Sequence, residues 1–240
     1  MSTYYKVRKL GQGGFGKVYL IKNSNGKQYA LKQIDLSDLS YEMRQKTLSE
    51  VVILSHLNND FIVKHVSSWT EGNNLNIVMD YIDGGNLREL ISRQNGRLIG
   101  LDRICYIARH IINALQYIHD HHIIHRDLKP DNILCSSSGN NFYLSDFGLA
   151  RPLTNYSPYA VTQCGTRGYS APEVLLGYPY NEKADIYSFG LILYELCTLR
   201  PFYEGKRGLD SQYALILPCC LQTQMLDHQS IKLTHIHYFL

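Results

Sequence analysis

No C-x-x-C pair occurs in this sequence, although it carries six cysteines: Cys105, Cys135, Cys164, Cys197, Cys219 and Cys220. That spacing offers no tetrahedral zinc site. It is also unlike the dense framework of a small disulfide-stapled domain. The thiols are expected to be reduced, as in a cytoplasmic or nuclear protein. No apolar run approaches the ~18 residues that a membrane-spanning helix needs. The opening MSTYYKVRKL has no apolar stretch of the kind that marks a signal peptide. Nor is there a block of Lys and Arg interleaved with aromatics, and the net charge of +3 is small and dispersed. Neither nucleic acid nor a membrane surface is an expected partner. Internal repeats are absent, and SSSGNN reads as a turn.

What is there is the composition of an ordinary globular protein, 45% hydrophobic and 19% charged over 240 residues. That length holds one large domain or two lobes with cores of their own. The first third alternates in strand fashion. YYKVRKLGQ, KVYLIK and QYALKQID are short runs broken by Gly and Asn, with a hairpin signal at NSNGK. From Ser40, an N-cap candidate, the pattern turns helical, with Leu48, Val51, Val52, Leu54 and Leu57 near helical spacing. Strands follow at IVKHVSSWT and LNIVMDYI, and Gly84–Gly85 breaks the chain. Beyond it NLRELISRQ predicts a short helix. LDRICYIARHIINALQYIHDHH predicts a long one, with Ile104, Ile107, Ile111, Leu115 and Ile118 on one stripe. Short strands are expected around HRDLKPDNIL and NFYLSDFG, and a third strong helix from about 181 to 198.

Several motifs carry chemistry. GQGGFGKV places Gly11, Gly13 and Gly16 between two strands, where free N–H groups approach phosphate oxygens closely. The element that follows is a strand, whereas a dinucleotide fold would need a helix there. Lys32 lies in YALK on the strand after the hairpin, and Glu50 on the next helix. An ion pair between them would aim the ammonium at the α- and β-phosphates. In HRDLKPDN, Asp127 can accept a proton from an attacking hydroxyl, Lys129 can neutralise a γ-phosphate, and Asn132 can hold a metal ion. HDHHIIH, with His119, His121, His122 and His125, is read as the end of a helix rather than a metal site. DFG follows at Asp146–Gly148 and APE at Ala171–Glu173.

The order and separation of these motifs resemble a eukaryotic serine/threonine protein kinase domain. The resemblance implies an α+β, bilobal fold with a β-rich small lobe over 1–82 and a mainly helical lobe over 83–202. It implies ATP and Mg2+ as cofactors and transfer of the γ-phosphoryl to a protein Ser or Thr. Leu10, Val18, Ala30 and Leu134 would sandwich adenine. Met79 would be the gatekeeper, with the hinge at Asp80 to Ile82. Asp146 would chelate magnesium, and Asp185 would brace the catalytic loop from below. Lys129 and Gly165–Thr166 resemble the serine/threonine class. Arg126 resembles the type that reads an activation-loop phosphate, with Thr162 at the position usually phosphorylated.

TLSEVVILSHLNNDFIVKHVSSWTE and YNEKADIYSFGLILYEL, with Tyr187 where most kinases have Trp, resemble the kinases of translation initiation factor two, alpha subunit. The amino-acid starvation sensor type is the favoured branch. KQIDLSDLS and NLNIVMDYIDGGNL resemble the NIMA-related kinases, the runner-up. The first branch implies a translation-control or stress pathway and a homodimer through the small lobe. After RPFYEG the resemblance ends, so residues 203–240 are expected to be a divergent tail and the helical lobe to lack its last helices. No late arginine is found to pair with Glu173; Lys206, Arg207 and Lys232 are the substitutes to consider. The alternative function is accordingly a truncated, catalytically impaired module that binds nucleotide or protein.

Overall fold

The computed structural model describes residues 4–13, 16–154, 159–162 and 164–202, and only the backbone of Lys46 and Glu50. The expected tail, with Lys206, Arg207 and Lys232, lies outside the described residues. The expectation that the second lobe lacks its last helices also falls outside the described residues.

The small lobe is an antiparallel five-stranded sheet. Its strands are β1 (Tyr4–Gly13), β2 (Gly16–Asn23), β3 (Gln28–Asp35), β4 (His65–Glu71) and β5 (Asn74–Asp80), in the order β1-β2-β3-β5-β4. The β2–β3 hairpin closes at Asn23, whose carbonyl accepts the Gly26 N–H at 3.0 Å. Helix α1 (Tyr41–His56) starts where Ser40 caps it, its Oγ accepting the Met43 N–H at 3.3 Å. Ile53, Leu54 and Leu57 on one side of this segment are buried, but Leu48 and Val52 are exposed. The latter two sit one turn apart on the opposite face, and α1 packs on one side only, so not every apolar residue of the expected stripe reaches the core.

The second lobe is mainly helical. It contains α2 (Leu87–Ser92), α3 (Leu101–Asp120), α4 (Pro172–Leu176) and α5 (Lys183–Thr198). The short strands β6 (Ile123–Ile124), β7 (Ile133–Cys135), β8 (Phe142–Leu144) and β9 (Arg151–Pro152) pair as β6–β9 and β7–β8. The bilobal α+β fold is thus as expected. All five stripe residues of α3 are buried, and they join Leu191, Ile192 and Leu196 of α5 in one core. A stripe every three or four residues puts these side chains on one face, and burying that face against α5 and β8 is what holds the helix.

Backbone hydrogen bonds tie the lobes together around the cleft. The Leu144 carbonyl accepts from Val63 N–H at 3.0 Å, and Phe61 accepts from Leu144 N–H at 2.8 Å. Gly84 N–H donates to Cys135 at 2.9 Å, and Cys135 N–H to Gly85 at 2.8 Å. Strand β8 is therefore held against residues 61–63 ahead of β4, and β7 against Gly84 and Gly85 ahead of α2.

Replacing Ile111, 2% exposed in the centre of α3, by Ala should destabilise the domain by about 2–5 kcal/mol. Urea denaturation monitored by circular dichroism measures this.

Candidate active site

The centre of the site is the carboxylate of Asp127, 6% exposed. Its Oδ2 accepts from Lys129 Nζ at 2.8 Å and from Asn132 Nδ2 at 3.1 Å. Its Oδ1 accepts from Thr166 Oγ1 at 2.7 Å, and Lys129 Nζ also donates to Thr166 Oγ1 at 2.8 Å. Asp127, Lys129 and Thr166 thus close a ring that joins the catalytic loop to the segment before α4. The Asn132 amide nitrogen donates also to the Asp127 carbonyl at 2.8 Å. Its N–H groups are committed there, which leaves the amide oxygen as the atom for a cation.

Across the cleft, Lys32 of β3 is buried and its Nζ lies 2.9 Å from Asp146 Oδ1. Burial works against ionising Asp146, but the charge and hydrogen bond of Lys32 outweigh it and hold the carboxyl below the usual range. Asp146 takes φ +59°, a left-handed conformation uncommon outside glycine, and this turns its carboxylate toward Lys32. The backbone of Glu50 is on α1, but its side chain lies outside the described residues, and so does the expected contact with Lys32.

Val18 lies opposite Lys32 in the β2–β3 register, and Ala30 opposite Met79 in β3–β5. In a strand alternate residues share a face, so Ala30, Lys32 and Val18 face the same way. Leu134 is on β7 and bridges Asn86, which follows the segment Asp80 to Ile82 that links the lobes. Leu10, Val18, Ala30, Met79, Asp80, Ile82 and Leu134 are all half-buried, as residues lining an open cleft should be. Gly11 and Gly13 end β1 and Gly16 starts β2, while the turn between them lies outside the described residues. Gly16 has φ +120°, and a Cβ there would meet the Gln33 carbonyl at 2.3 Å, so the close approach of β2 to β3 requires glycine.

Beneath the loop sits Asp185 of α5, 1% exposed. Its Oδ2 accepts from His125 N–H at 2.8 Å and lies 2.8 Å from His119 Nε2; its Oδ1 accepts from Arg126 N–H at 2.9 Å. Burial opposes its charge, yet the His119 hydrogen bond and the backbone donors more than compensate and keep its carboxyl below the ordinary value. Arg126 is held at φ +69°, and the two backbone donors to one carboxylate account for that strained geometry. His125 Nδ1 accepts from Asp127 N–H at 3.3 Å and Nε2 faces the Ser145 carbonyl at 2.9 Å, which assigns the neutral tautomer with the proton on Nε2.

Arg126 donates to the Leu149 carbonyl and, at 3.4 Å, to Tyr180 Oη. Tyr180 in turn donates to the Thr162 carbonyl at 2.8 Å. Burial pushes the Tyr180 phenol up to about 12, so it remains a donor. Thr162 is exposed, one hydrogen-bonded residue away from Arg126. Gly165 has φ +89°, and a Cβ there would meet the Arg126 carbonyl at 2.5 Å. Glu173 opens α4 half-buried, and among the described residues no cation pairs with it.

The geometry brings Lys32 of the small lobe to Asp146 of the helical lobe, and groups Asp127 with Lys129, Asn132 and Thr166. What decides the family is comparison: the protein kinase domain profile matches residues 4–235. The chain belongs to the protein kinase family. That match runs past residue 202, where the sequence resemblance had been expected to end. This kinase domain is 40% identical over 206 residues to serine/threonine-protein kinase Nek1 of Mus musculus, covering 85% of this chain and 17% of that protein. It is 41% identical over 207 residues to Nek5 of Homo sapiens, covering 86% and 29%. Nek4 of Mus musculus is 36% identical over 217 residues, with 90% and 27% covered. The chain thus spans less than a third of each of these curated relatives.

These relatives are NIMA-related kinases, the runner-up branch. The favoured branch, the initiation-factor-two kinases, is not supported and is corrected here. The residues that carried it mainly serve packing: Leu54 and Leu57 fill the core, Trp69 stacks on Tyr4 at 6.2 Å, and Tyr187 packs between two core clusters. Such positions report what any small lobe and α5 must bury, and they discriminate weakly between branches.

His119, Tyr180, Arg88, Tyr169 and Glu195 were missed as participants. His119 and Asp185 are 66 residues apart, and Arg88 and Glu195 107, so no local pattern announces either contact.

Because folding depresses the carboxyl value of Asp185, its ionised form contributes stability above the ordinary value of about 3.9. That contribution is lost as pH falls below it through the lower folded-state value. The urea midpoint should therefore drop steeply below about pH 4. Asp185→Asn should already be less stable at pH 7, by about 3–5 kcal/mol, and show a shallower acid dependence. Denaturation series at several pH values check both.

Proposed function

We propose that this chain is an ATP- and magnesium-dependent serine/threonine kinase. It transfers the γ-phosphoryl of ATP to a protein hydroxyl. The observation that carries this reading is the arrangement around Asp127. One carboxylate, buried yet facing the cleft, is oriented by Lys129, Asn132 and Thr166, while Lys32 and Asp146 meet opposite it.

In the reaction, Asp127 orients the acceptor hydroxyl and takes its proton as the oxygen–phosphorus bond forms and the bond to the β-phosphate oxygen breaks, releasing ADP. Lys129 lies beside Asp127 and offsets charge on the transferring group. Lys32 binds phosphate oxygens farther along the nucleotide. The amide oxygen of Asn132 and the carboxylate of Asp146 are hard oxygen donors of the kind magnesium takes. Bound there, the ion would supply charge neutralisation on the phosphates. This chain's own contribution is positioning: Asp185 locks the backbone of residues 125–126, and Thr166 locks Asp127 from the other side.

The serine/threonine class is supported by the Lys129–Thr166 contact and by the relatives, which are serine/threonine-protein kinases. A translation-control role rests only on the sequence segments quoted for it. Cytoplasmic or nuclear residence is proposed from free thiols at Cys105, Cys135, Cys164 and Cys197. A homodimer through the small lobe would have the exposed Tyr41, Met43 and Val52 of α1 available to it.

Asp127→Asn should lower phosphate transfer to a generic basic protein by about 10²-fold or more while ATP binding persists. Radiolabelled ATP with both proteins side by side measures this. A folded, ATP-binding wild type that transfers nothing would instead favour a binding module. Thr162→Ala should reduce the activity of a preparation phosphorylated at residue 162. Equal activity of the two proteins, with the phosphate verified by mass spectrometry, would remove Arg126 as a phosphate reader.

A further inference from the structure

Glu195 of α5 has its side chain 1% exposed. Its Oε1 pairs with Arg88 Nη1, its Oε2 accepts from Tyr169 Oη, and Arg88 Nη2 donates to the same hydroxyl. Arg88 Nε lies 3.5 Å from Asp131 Oδ2. Burial works against the charge on Arg88, but Tyr169 and Glu195 outweigh it and hold the guanidinium protonated. One guanidinium therefore serves two carboxylates.

The cluster's position gives it meaning. Asp131 belongs to the catalytic loop and precedes Asn132. Tyr169 follows Thr166, which is bonded to Asp127. Arg88 and Asp131 are open to solvent, with side chains 29% and 46% exposed. The cluster thus touches both segments that hold Asp127, the catalytic loop through Asp131 and the stretch after Thr166 through Tyr169, and an acceptor polypeptide reaching Asp127 would pass beside it. Without Arg88, two carboxylates and a phenol would surround a vacancy of guanidinium size that opens to solvent. A fork of N–H donors matches such a site geometrically, and an unpaired buried carboxylate strongly favours refilling it.

We propose that Arg88 is a specificity-determining residue, an internal cation that fills an acidic subsite beside the acceptor. Substrates of this chain therefore present an uncharged side chain at that subsite, and arginine there is excluded. The proposal rests on the kinase reading above and adds the substrate class to it.

The test uses the full chain, Arg88→Ala, Arg88→Gln and the double variant Arg88→Ala/Glu195→Gln. The substrates are serine peptides in which one Arg is moved through each position around the acceptor, each compared with its Ala parent. The wild type should gain nothing from Arg at any position. Arg88→Ala or Arg88→Gln should prefer Arg at one position by tenfold or more, read in the peptide KM rather than in kcat. Removing the Glu195 charge should abolish that preference. Equal Arg/Ala ratios in the wild type and in a folded Arg88 variant overturn the proposal. So does a wild type that already prefers Arg tenfold, and this result needs no variant to fold. If the wild type transfers no phosphate, the kinase reading fails separately. Fluorescence anisotropy of the labelled peptides then decides the subsite. Arg-selective binding that appears only in the Arg88 variants supports it, and its absence overturns it.

Discussion

The arrangement of the cleft depends on one buried carboxylate, that of Asp185. It lies in α5 at the bottom of the helical lobe, and its oxygens accept from the backbone N–H groups of His125 and Arg126 and meet the ring of His119. A charge in that position would be costly unpaired. Three donors resolve the cost, and they come from the end of α3 and from the catalytic loop. The interaction therefore fixes the loop at its start relative to two helices. Two residues further on, Asp127 inherits that position. Arg126 is forced into a left-handed conformation by the same contact, which sends its side chain toward Leu149 and Tyr180.

Above this anchor the site is assembled by charge matching. Asp127 is shared among Lys129, Asn132 and Thr166, and Lys32 meets Asp146 from the other lobe. Each acidic group has a cation or an amide facing it, so the cleft holds several carboxylates close together without mutual repulsion. Asn132 extends this order: its carbonyl accepts from both the N–H and the Oγ of Ser145 at 2.9 Å, which links the catalytic loop to the strand leading into Asp146. The Arg88–Glu195–Tyr169 cluster repeats the same principle between α2 and α5, where a guanidinium faces a buried carboxylate.

Much of this was legible in the sequence because its signals are local. The α3 stripe, the Ser40 cap and the Asn23–Lys27 turn depend on residues within a few positions of each other. The motif residues Lys32, Asp127, Asn132 and Asp146 were legible for another reason: phosphate chemistry requires particular groups at particular spacings. What was not legible involved residues far apart in the chain. Leu48 and Val52 follow helical spacing yet face solvent, since which face of α1 is covered depends on the sheet and not on the helix. His119 read as one of several histidines at a helix end. The branch assignment went astray because its residues, Leu54 and Trp69 among them, are shared packing positions.

The sequence by itself determined the order of elements, the chemistry available in the cleft and the residues able to perform it. Hydrophobic periodicity and short-range spacing are set by the chain alone. Tertiary structure decided which groups face each other: Asp185 with His119, Lys129 with Thr166, and Arg88 with Glu195. It also decided which of them are charged in place, because burial penalises an ion and only a partner brought from elsewhere in the fold can offset that penalty. A carboxylate is written in the sequence as Asp or Glu, but whether it is a base, a brace or one wall of a filled subsite is set by what the fold places within about 3 Å of it.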